Sequence, residues 1–152
     1  MKKIFSVLAL LATIFTQSAF AQTSADKAPT ALSIYYGVRD ALTSGNTTIA
    51  TAKAQELKSA FEGVKSLDLK TSLQKNAGLI SLAKSIKTQR EAFASLSLDM
   101  ISLIKVEKLS TEPIYQVVCP MQNNSWLSSE KVVKNPYYGS AMLTCGKVVA
   151  TL

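Results

Sequence analysis

Hydrophobic residues recur at helical spacing through most of the chain. Between residues 30 and 107 they come three or four positions apart, in stretches separated by short polar breaks. Such a repeat places one apolar stripe along each helix. The spacing predicts four helices, with stripes formed by Leu32, Tyr35, Tyr36 and Leu42; by Ile49, Leu57, Phe61 and Val64; by Leu69, Leu73, Ile80 and Ile86; and by Phe93, Leu96, Met100 and Ile104.

Local signals predict where these helices begin and end. Gly45 suits the left-handed position after the first helix, and the second begins near Asn46. Asp68 is the expected N-cap of the third helix. Thr88 and Glu91 have the spacing of a capping box, in which each side chain bonds the backbone amide of the other residue.

The pattern changes from helical to strand-like after residue 111. The segments "EPIYQVVC" and "CGKVVATL" are short and rich in β-branched residues, which favours two strands. If these strands pair antiparallel with Cys119 opposite Cys145, Val117 lies opposite Lys147. The residues between the two strands then form a long excursion.

These elements predict a mostly α fold. Connections of a few residues join antiparallel neighbours, so residues 30–107 are expected to form an up-down four-helix bundle. Residues 111–152 form a loop-rich, β-hairpin-like segment, here called the tail, which folds over one end of the bundle. The bundle is expected to be a scaffold that stays folded without the tail, because its four stripes can cover one another.

Residues 1–21 have the pattern of a secretory signal. Two lysines precede an apolar run over residues 4–15, and Ala19-Phe20-Ala21 has the small-x-small form of a cleavage site. The run is shorter than the roughly 20 residues that span a bilayer. We therefore expect residues 22–152 to form a single domain in the periplasm, exported and soluble, with no stable membrane insertion.

Charge and composition exclude several classes of function. The formal charge is +7, and it falls to +5 without Lys2 and Lys3. The remaining basic residues are scattered and do not form the clustered stripe of a nucleic-acid surface, so nucleic acid is not an expected partner. Histidine is absent, which excludes Ser-His-Asp and Cys-His catalytic centres, and no phosphate-binding loop is present. We expect a protein that is not an enzyme.

The tail contains the candidate chemistry. Cys119, Met121, Met142 and Cys145 are arranged as Cys-x-Met and Met-x-x-Cys. Thiolates and thioethers are soft ligands that suit monovalent copper or silver, so these four residues are the candidate site for one such ion. Trp126 is a candidate cap on that ion, since an indole face attracts a cation.

A disulfide between Cys119 and Cys145 is the alternative. Opposed residues in an antiparallel ladder have Cα atoms about 4.5 to 5.5 Å apart, which is disulfide distance. Two cysteines in an oxidising compartment usually pair, and closing this loop would stabilise the fold by about 3.5 kcal/mol in the chain-entropy model. The methionines and the tryptophan would then be packing groups. Both interpretations stay open.

The segment "KNPYYG" also has two interpretations. Asn135 precedes a proline, which favours an extended or turn conformation. Tyr137 and Tyr138 can either pack the tail onto the bundle or, together with Asn135, present an interaction surface. Packing is favoured, because amphipathic tyrosines often cover the edge of a core.

Most of the chain after residue 21 resembles an uncharacterised family of exported domains of unknown function. In the tail, the residues that carry the resemblance are Cys119-Pro120-Met121, Trp126-Leu127-Ser128, Asn135-Pro136-Tyr137-Tyr138-Gly139, Met142-Leu143 and Cys145-Gly146. In the fourth predicted helix they are Arg90, Phe93, Leu96 and Ser97. Gln122 and Tyr138 stand where members of the family often have alanine and phenylalanine. Family members occur alone or attached to the adaptor subunits of copper and silver efflux pumps.

The resemblance implies a metal-handling context, with a heavy-metal efflux adaptor or another envelope protein as the partner. The expected function is therefore periplasmic binding or delivery of a soft metal linked to heavy-metal efflux. The alternative is a non-catalytic interaction module of the cell envelope, pinned by a Cys119–Cys145 disulfide.

Overall fold

Four helices precede a small antiparallel sheet. The computed structural model describes residues 24–152, with side chains from residue 31 onward, so the predicted signal at residues 1–21 lies outside the described residues. The helices are α1 (Ser24–Thr43), α2 (Thr47–Ala60), α3 (Leu67–Leu82) and α4 (Ile86–Val106), and the strands are β1 (Tyr115–Cys119), β2 (Asn124–Ser128) and β3 (Lys147–Thr151). Two 3₁₀ turns lie at Phe61–Gly63 and Gly139–Met142. No helix within residues 24–152 is both long enough and apolar enough to cross a membrane.

The mostly α class and the four helices confirm the prediction from hydrophobic spacing. The start of α2 is as expected, because the Asn46 side chain accepts a hydrogen bond from the Ile49 amide at 3.0 Å. Gly45 has the predicted left-handed backbone, with φ +72°. Ile49 itself lies on the solvent side of α2 and not on its buried stripe.

Two predicted helix starts are wrong by a few residues. The N-cap of α3 is Ser66, whose hydroxyl accepts from the Leu69 amide at 3.4 Å, and Asp68 lies within the first turn. The capping box of α4 is formed by Ser85 and Thr88, not by Thr88 and Glu91. Ser85 has extended backbone, with φ −138°, as an N-cap requires, whereas Thr88 is already helical.

The tail completes the bundle along one side. Consecutive helices pack closely on each other, but α1 and α4 touch only slightly, and β2 packs on α4. Trp126 and Leu127 of β2 are buried in the same apolar core as Tyr35 of α1 and Phe93 of α4. The bundle and the tail therefore share one hydrophobic core.

The sheet differs from the predicted hairpin in strand number and in register. β1 is the central strand and pairs antiparallel with both β2 and β3. Val117 lies opposite Val148 rather than Lys147, and a bulge lies between Gln116 and Val117. A shift of one residue exchanges the two faces of a strand. The observed register turns Val148 inward and leaves Lys147 in solvent, which burial of an apolar side chain favours.

Candidate functional site

Cys119 and Cys145 lie at corresponding ends of neighbouring strands. Cys119 is the last residue of β1, and its side chain is fully buried. The turn over residues 120–123 follows, with Asn123 in the left-handed region at φ +54°. Cys145 lies two residues before β3 and is partly exposed. The first thiol is therefore enclosed by the core, and the second faces the surface beside it.

The two thiols lie close to each other. Both cysteines are free thiols, and the Cys119 side chain is near enough to affect the pKa of Cys145. Desolvation is the main cause that raises the pKa of the Cys145 thiol, and the proximity of Cys119 raises it further. A raised pKa keeps this thiol protonated at neutral pH. The structure therefore brings together the two cysteines that the sequence singled out.

Asn135 holds the segment that carries Cys145. Its side-chain amide donates to the Cys145 carbonyl at 2.7 Å, and its side-chain oxygen accepts from the amides of Tyr137 and Tyr138 at 2.8 and 3.3 Å. Its backbone amide donates to the Leu143 carbonyl at 2.7 Å. Asn135 is fully buried, so it fixes the loop from within.

The two methionines flank the thiols but reach toward solvent. Met121 lies in the turn after Cys119 and is 64% exposed; Met142 lies three residues before Cys145 and is 36% exposed. The Cys145 amide donates to the Met142 carbonyl at 3.1 Å, which fixes the backbone between those two residues. Within the described residues no three His, Cys, Asp or Glu side chains cluster, so a metal shell larger than two ligands would draw on the thioethers.

Trp126 lies inside the fold next to the Cys145 segment. It is buried, and its ring meets that of Tyr137 edge-on at 5.9 Å between centroids. A Cβ atom added to Gly146 would come within 2.7 Å of the Trp126 ring. Glycine at position 146 therefore lets the backbone beside Cys145 lie against the indole. Whether the indole caps a cation stays a prediction.

The tyrosines of the "KNPYYG" segment pack the tail onto α4. The Tyr137 hydroxyl donates to the Ser125 carbonyl at 2.5 Å, and its ring lies 6.0 Å from that of Phe93. Burial raises the pKa of Tyr137 well above its ordinary value. Asn135 and Tyr137 are buried and belong to the interior rather than to a surface, while Tyr138 is partly exposed.

Sequence reasoning missed a polar network beneath the site. The Tyr35 hydroxyl accepts from the Leu127 amide at 3.1 Å and shares a hydrogen bond of 2.7 Å with Ser97. Arg39 is also buried, where it bonds Ser128 at 3.1 Å and pairs with Asp40 at 2.7 Å. The sequence held one signal for this network, because polar groups stand at positions of the apolar stripes. Such groups are buried in the fold and then require hydrogen-bond partners.

A family model described as a protein of unknown function (DUF3347) matches residues 31–112, more than half of the chain. The chain belongs to this family. The match covers most of the helical bundle and ends before β1, so the three strands and both cysteines lie beyond it. No curated protein and no solved structure matches the chain.

Proposed function

We propose that this protein binds one monovalent soft metal ion, copper or silver, between Cys119 and Cys145. The observation that carries this proposal is the proximity of two free thiols, one of which is reachable from solvent. In the proposed role the protein is a non-enzymatic periplasmic carrier that exchanges the ion with a heavy-metal efflux adaptor or another envelope protein.

The chemistry of the two thiols supports uptake of a soft ion. Thiolate is the protein ligand that most favours monovalent copper, and two neighbouring thiolates supply a pair without rearrangement of the fold. The ion enters from the side of Cys145, because Cys119 is enclosed by the core. Binding displaces protons from thiols, and the raised pKa of Cys145 makes this proton release more costly at low pH. The apparent affinity therefore rises with pH.

The methionines have a secondary role in this proposal. Met121 and Met142 are exposed and lie two and three residues from the cysteines in sequence, so they can turn toward an ion without disturbing the buried core. Thioethers are neutral, weaker ligands than thiolates. They would complete the shell and release the ion readily to a partner.

The test is a titration of monovalent copper against a competing chelator, run on the reduced protein. We expect about one ion per chain, because one thiol pair is present. Cys119→Ser and Cys145→Ser should each abolish tight uptake, while the Met121→Leu/Met142→Leu double variant should weaken it without unfolding the chain.

Met100→Leu is the matched control. Met100 is a buried core residue of α4, so this variant removes a thioether that is not part of the proposed shell. Its metal affinity should equal that of the wild type. No uptake by the reduced wild type would refute the metal site, and equal affinity of the double variant would remove the thioethers from it.

The second candidate is an interaction module in which the same cysteines form a disulfide. The complete burial of Cys119 and the Asn135–Cys145 hydrogen bond favour it, because both are typical of a structural pair. In this role the Cys119–Cys145 disulfide joins the segment before β3 covalently to β1. The protein then contacts an envelope partner without metal. The mass of the protein purified from the periplasm distinguishes the candidates: two hydrogens fewer than the dithiol indicates the disulfide, and a dithiol with bound copper indicates the carrier.

A further inference from the structure

A cavity of about 170 Å³ lies between the first two turns of α4 and the turn that joins β1 to β2. Its α4 wall includes Lys87 and Arg90, and its opposite wall includes Gln122 and Asn124, whose side-chain amides are joined by a hydrogen bond of 3.2 Å. None of these side chains belongs to the thiol pair. Two cations facing neutral amides form a surface that suits a negatively charged ligand.

The guanidinium of Arg90 has fewer partners than its burial requires. It donates from Nη2 to the Leu42 carbonyl at 2.9 Å, but its Nε is enclosed and makes no hydrogen bond. No carboxylate of the described residues lies within ion-pair distance of it, whereas Arg39 pairs with Asp40 at 2.7 Å. Desolvation lowers the pKa of Arg90, which reflects the cost of a charge without a counter-ion. A bound anion would offset that cost through its charge, because the enclosed Nε is itself out of reach of a ligand.

The position of Arg90 is fixed by the tail. Gly139 has a left-handed backbone, with φ +57°, and a Cβ atom there would come within 2.5 Å of the Arg90 Nη2 atom. The guanidinium therefore lies directly against the backbone of residue 139. A cation held in place before the ligand arrives loses little side-chain entropy on binding.

The charged side chains that line the cavity carry a net positive charge. Lys87 is exposed at the rim, with no ion pair among the described residues. Glu91 is also exposed and lines the same rim, so it compensates one of the two cations. The first turn of α4 adds the partial positive charge of a helix N-terminus to the same side.

The cavity also has apolar walls. Ile86 and the ring of Tyr137 line it, and the Tyr137 hydroxyl is already bonded to the Ser125 carbonyl. This tyrosine stays neutral and does not repel an anion, because burial raises its pKa. An inorganic ion would leave these walls uncovered, whereas a short carbon chain would contact them.

We propose that this cavity binds a small organic carboxylate, with the carboxylate at Arg90 and Lys87 and the carbon chain against Ile86 and Tyr137. This binding is independent of the two cysteines, since neither lines the cavity.

The test is a calorimetric titration of the whole protein with propionate, compared with propionamide, its neutral analogue, and with inorganic phosphate. Propionate should bind saturably and propionamide should not. Arg90→Gln should weaken propionate binding at least about tenfold, because a hydrogen bond to a charged group is lost. Lys87→Gln should weaken it about threefold, since an exposed charge contributes less. Lys84→Gln removes an exposed charge that does not line the cavity and should change nothing.

Several outcomes would overturn the proposal. They are no binding of propionate, equal binding of propionamide, tighter binding of phosphate, or a folded Arg90→Gln variant with unchanged affinity. If Arg90→Gln fails to fold, Lys87→Gln and the amide shifts of Ile86 and Gln122 on adding propionate decide the matter. A Cys119→Ser/Cys145→Ser variant should retain wild-type propionate affinity, which separates this result from that of the metal titration.

Discussion

Asn135 anchors Cys145 from within the core. It is buried, and its side chain joins the turn at Tyr137 to the Cys145 carbonyl. A side-chain amide can satisfy both ends at once because it has a donor and an acceptor. Aspartate at this position would keep the acceptor but lose the donor and bury a charge.

Asn135→Ala is therefore expected to lower the free energy of unfolding by about 2 to 4 kcal/mol, because it leaves the Cys145 carbonyl and the Tyr137 amide without partners. Urea denaturation measures the loss. The same variant should speed the reaction of Cys145 with a thiol reagent, since the loop is released. Gln122→Ala, which changes an exposed side chain, should stay within about 0.5 kcal/mol of the wild type. Equal stabilities of the two variants would show that Asn135 does not anchor the loop.

At the scale of elements, the start of α4 shows how a local signal selects between neighbouring candidates. The hydroxyl of Ser85 accepts from the Thr88 amide at 3.2 Å, and that of Thr88 accepts from the Ser85 amide at 3.3 Å. Glu91 is exposed and has no part in this cap.

Ser85→Ala should destabilise the protein by about 1 kcal/mol, because the first turn of α4 loses its side-chain cap. Glu91→Ala should change the free energy of unfolding by less than about 0.5 kcal/mol. Both values come from chemical denaturation. A larger loss of unfolding free energy for Glu91→Ala than for Ser85→Ala would support the Thr88–Glu91 capping box predicted from the sequence.

The sequence was sufficient at the start of α2, where the deciding contact is local and has one clear candidate. Asn46 caps α2 through a bond three residues away, so the motif contains its own evidence. β2 was missed because Trp126 is buried by contacts with Tyr137 and Gly146, which are distant in sequence. The meeting of the two cysteines was predictable, since only one pair exists. The bond from Asn135 that holds one of them was not, because no local pattern encodes it.

At the scale of the whole molecule, the tail is a structural part of the bundle. Trp126 and Leu127 occupy the side where α1 and α4 scarcely touch, and the Leu127 amide donates its hydrogen bond to the Tyr35 hydroxyl of α1. This shared core argues against a bundle that stays folded without its tail.

Deletion of residues 113–152 should therefore abolish cooperative unfolding, because it uncovers Tyr35 and Phe93 and removes Trp126 from the core. Circular dichroism should still show helix, while binding of a hydrophobic dye should increase. Deletion of residues 147–152 alone, which removes only β3, should be milder. A cooperative transition in the longer deletion would show that the four helices suffice.

Alkaline pH should destabilise the whole fold through its buried tyrosines. Burial raises the pKa of Tyr36 to about 12, and it raises those of Tyr35 and Tyr137 further. Because the folded-state pKa lies above the unfolded value, the unfolded state loses its proton first as pH rises. The stabilisation that comes from keeping these tyrosines neutral is therefore complete below the ordinary pKa of about 10. It is lost as pH rises through the folded pKa. In one pH titration, the absorbance of tyrosinate and the helical circular dichroism signal should change together above about pH 10. Ionisation of all five tyrosines near pH 10 with the helices intact would contradict this.

The central place of β1 in the sheet has a consequence for the order of folding. β1 meets β2 across a turn of four residues, 120–123, and hairpins of this kind close in about 1 to 10 μs. β3 must return across the long segment after β2, and closing a longer loop costs more entropy and is slower. Docking of β3 is therefore a late event, and Cys119 has no neighbouring thiol until it occurs. The rate of that docking sets how long a newly made chain is open to mixed disulfides with other proteins.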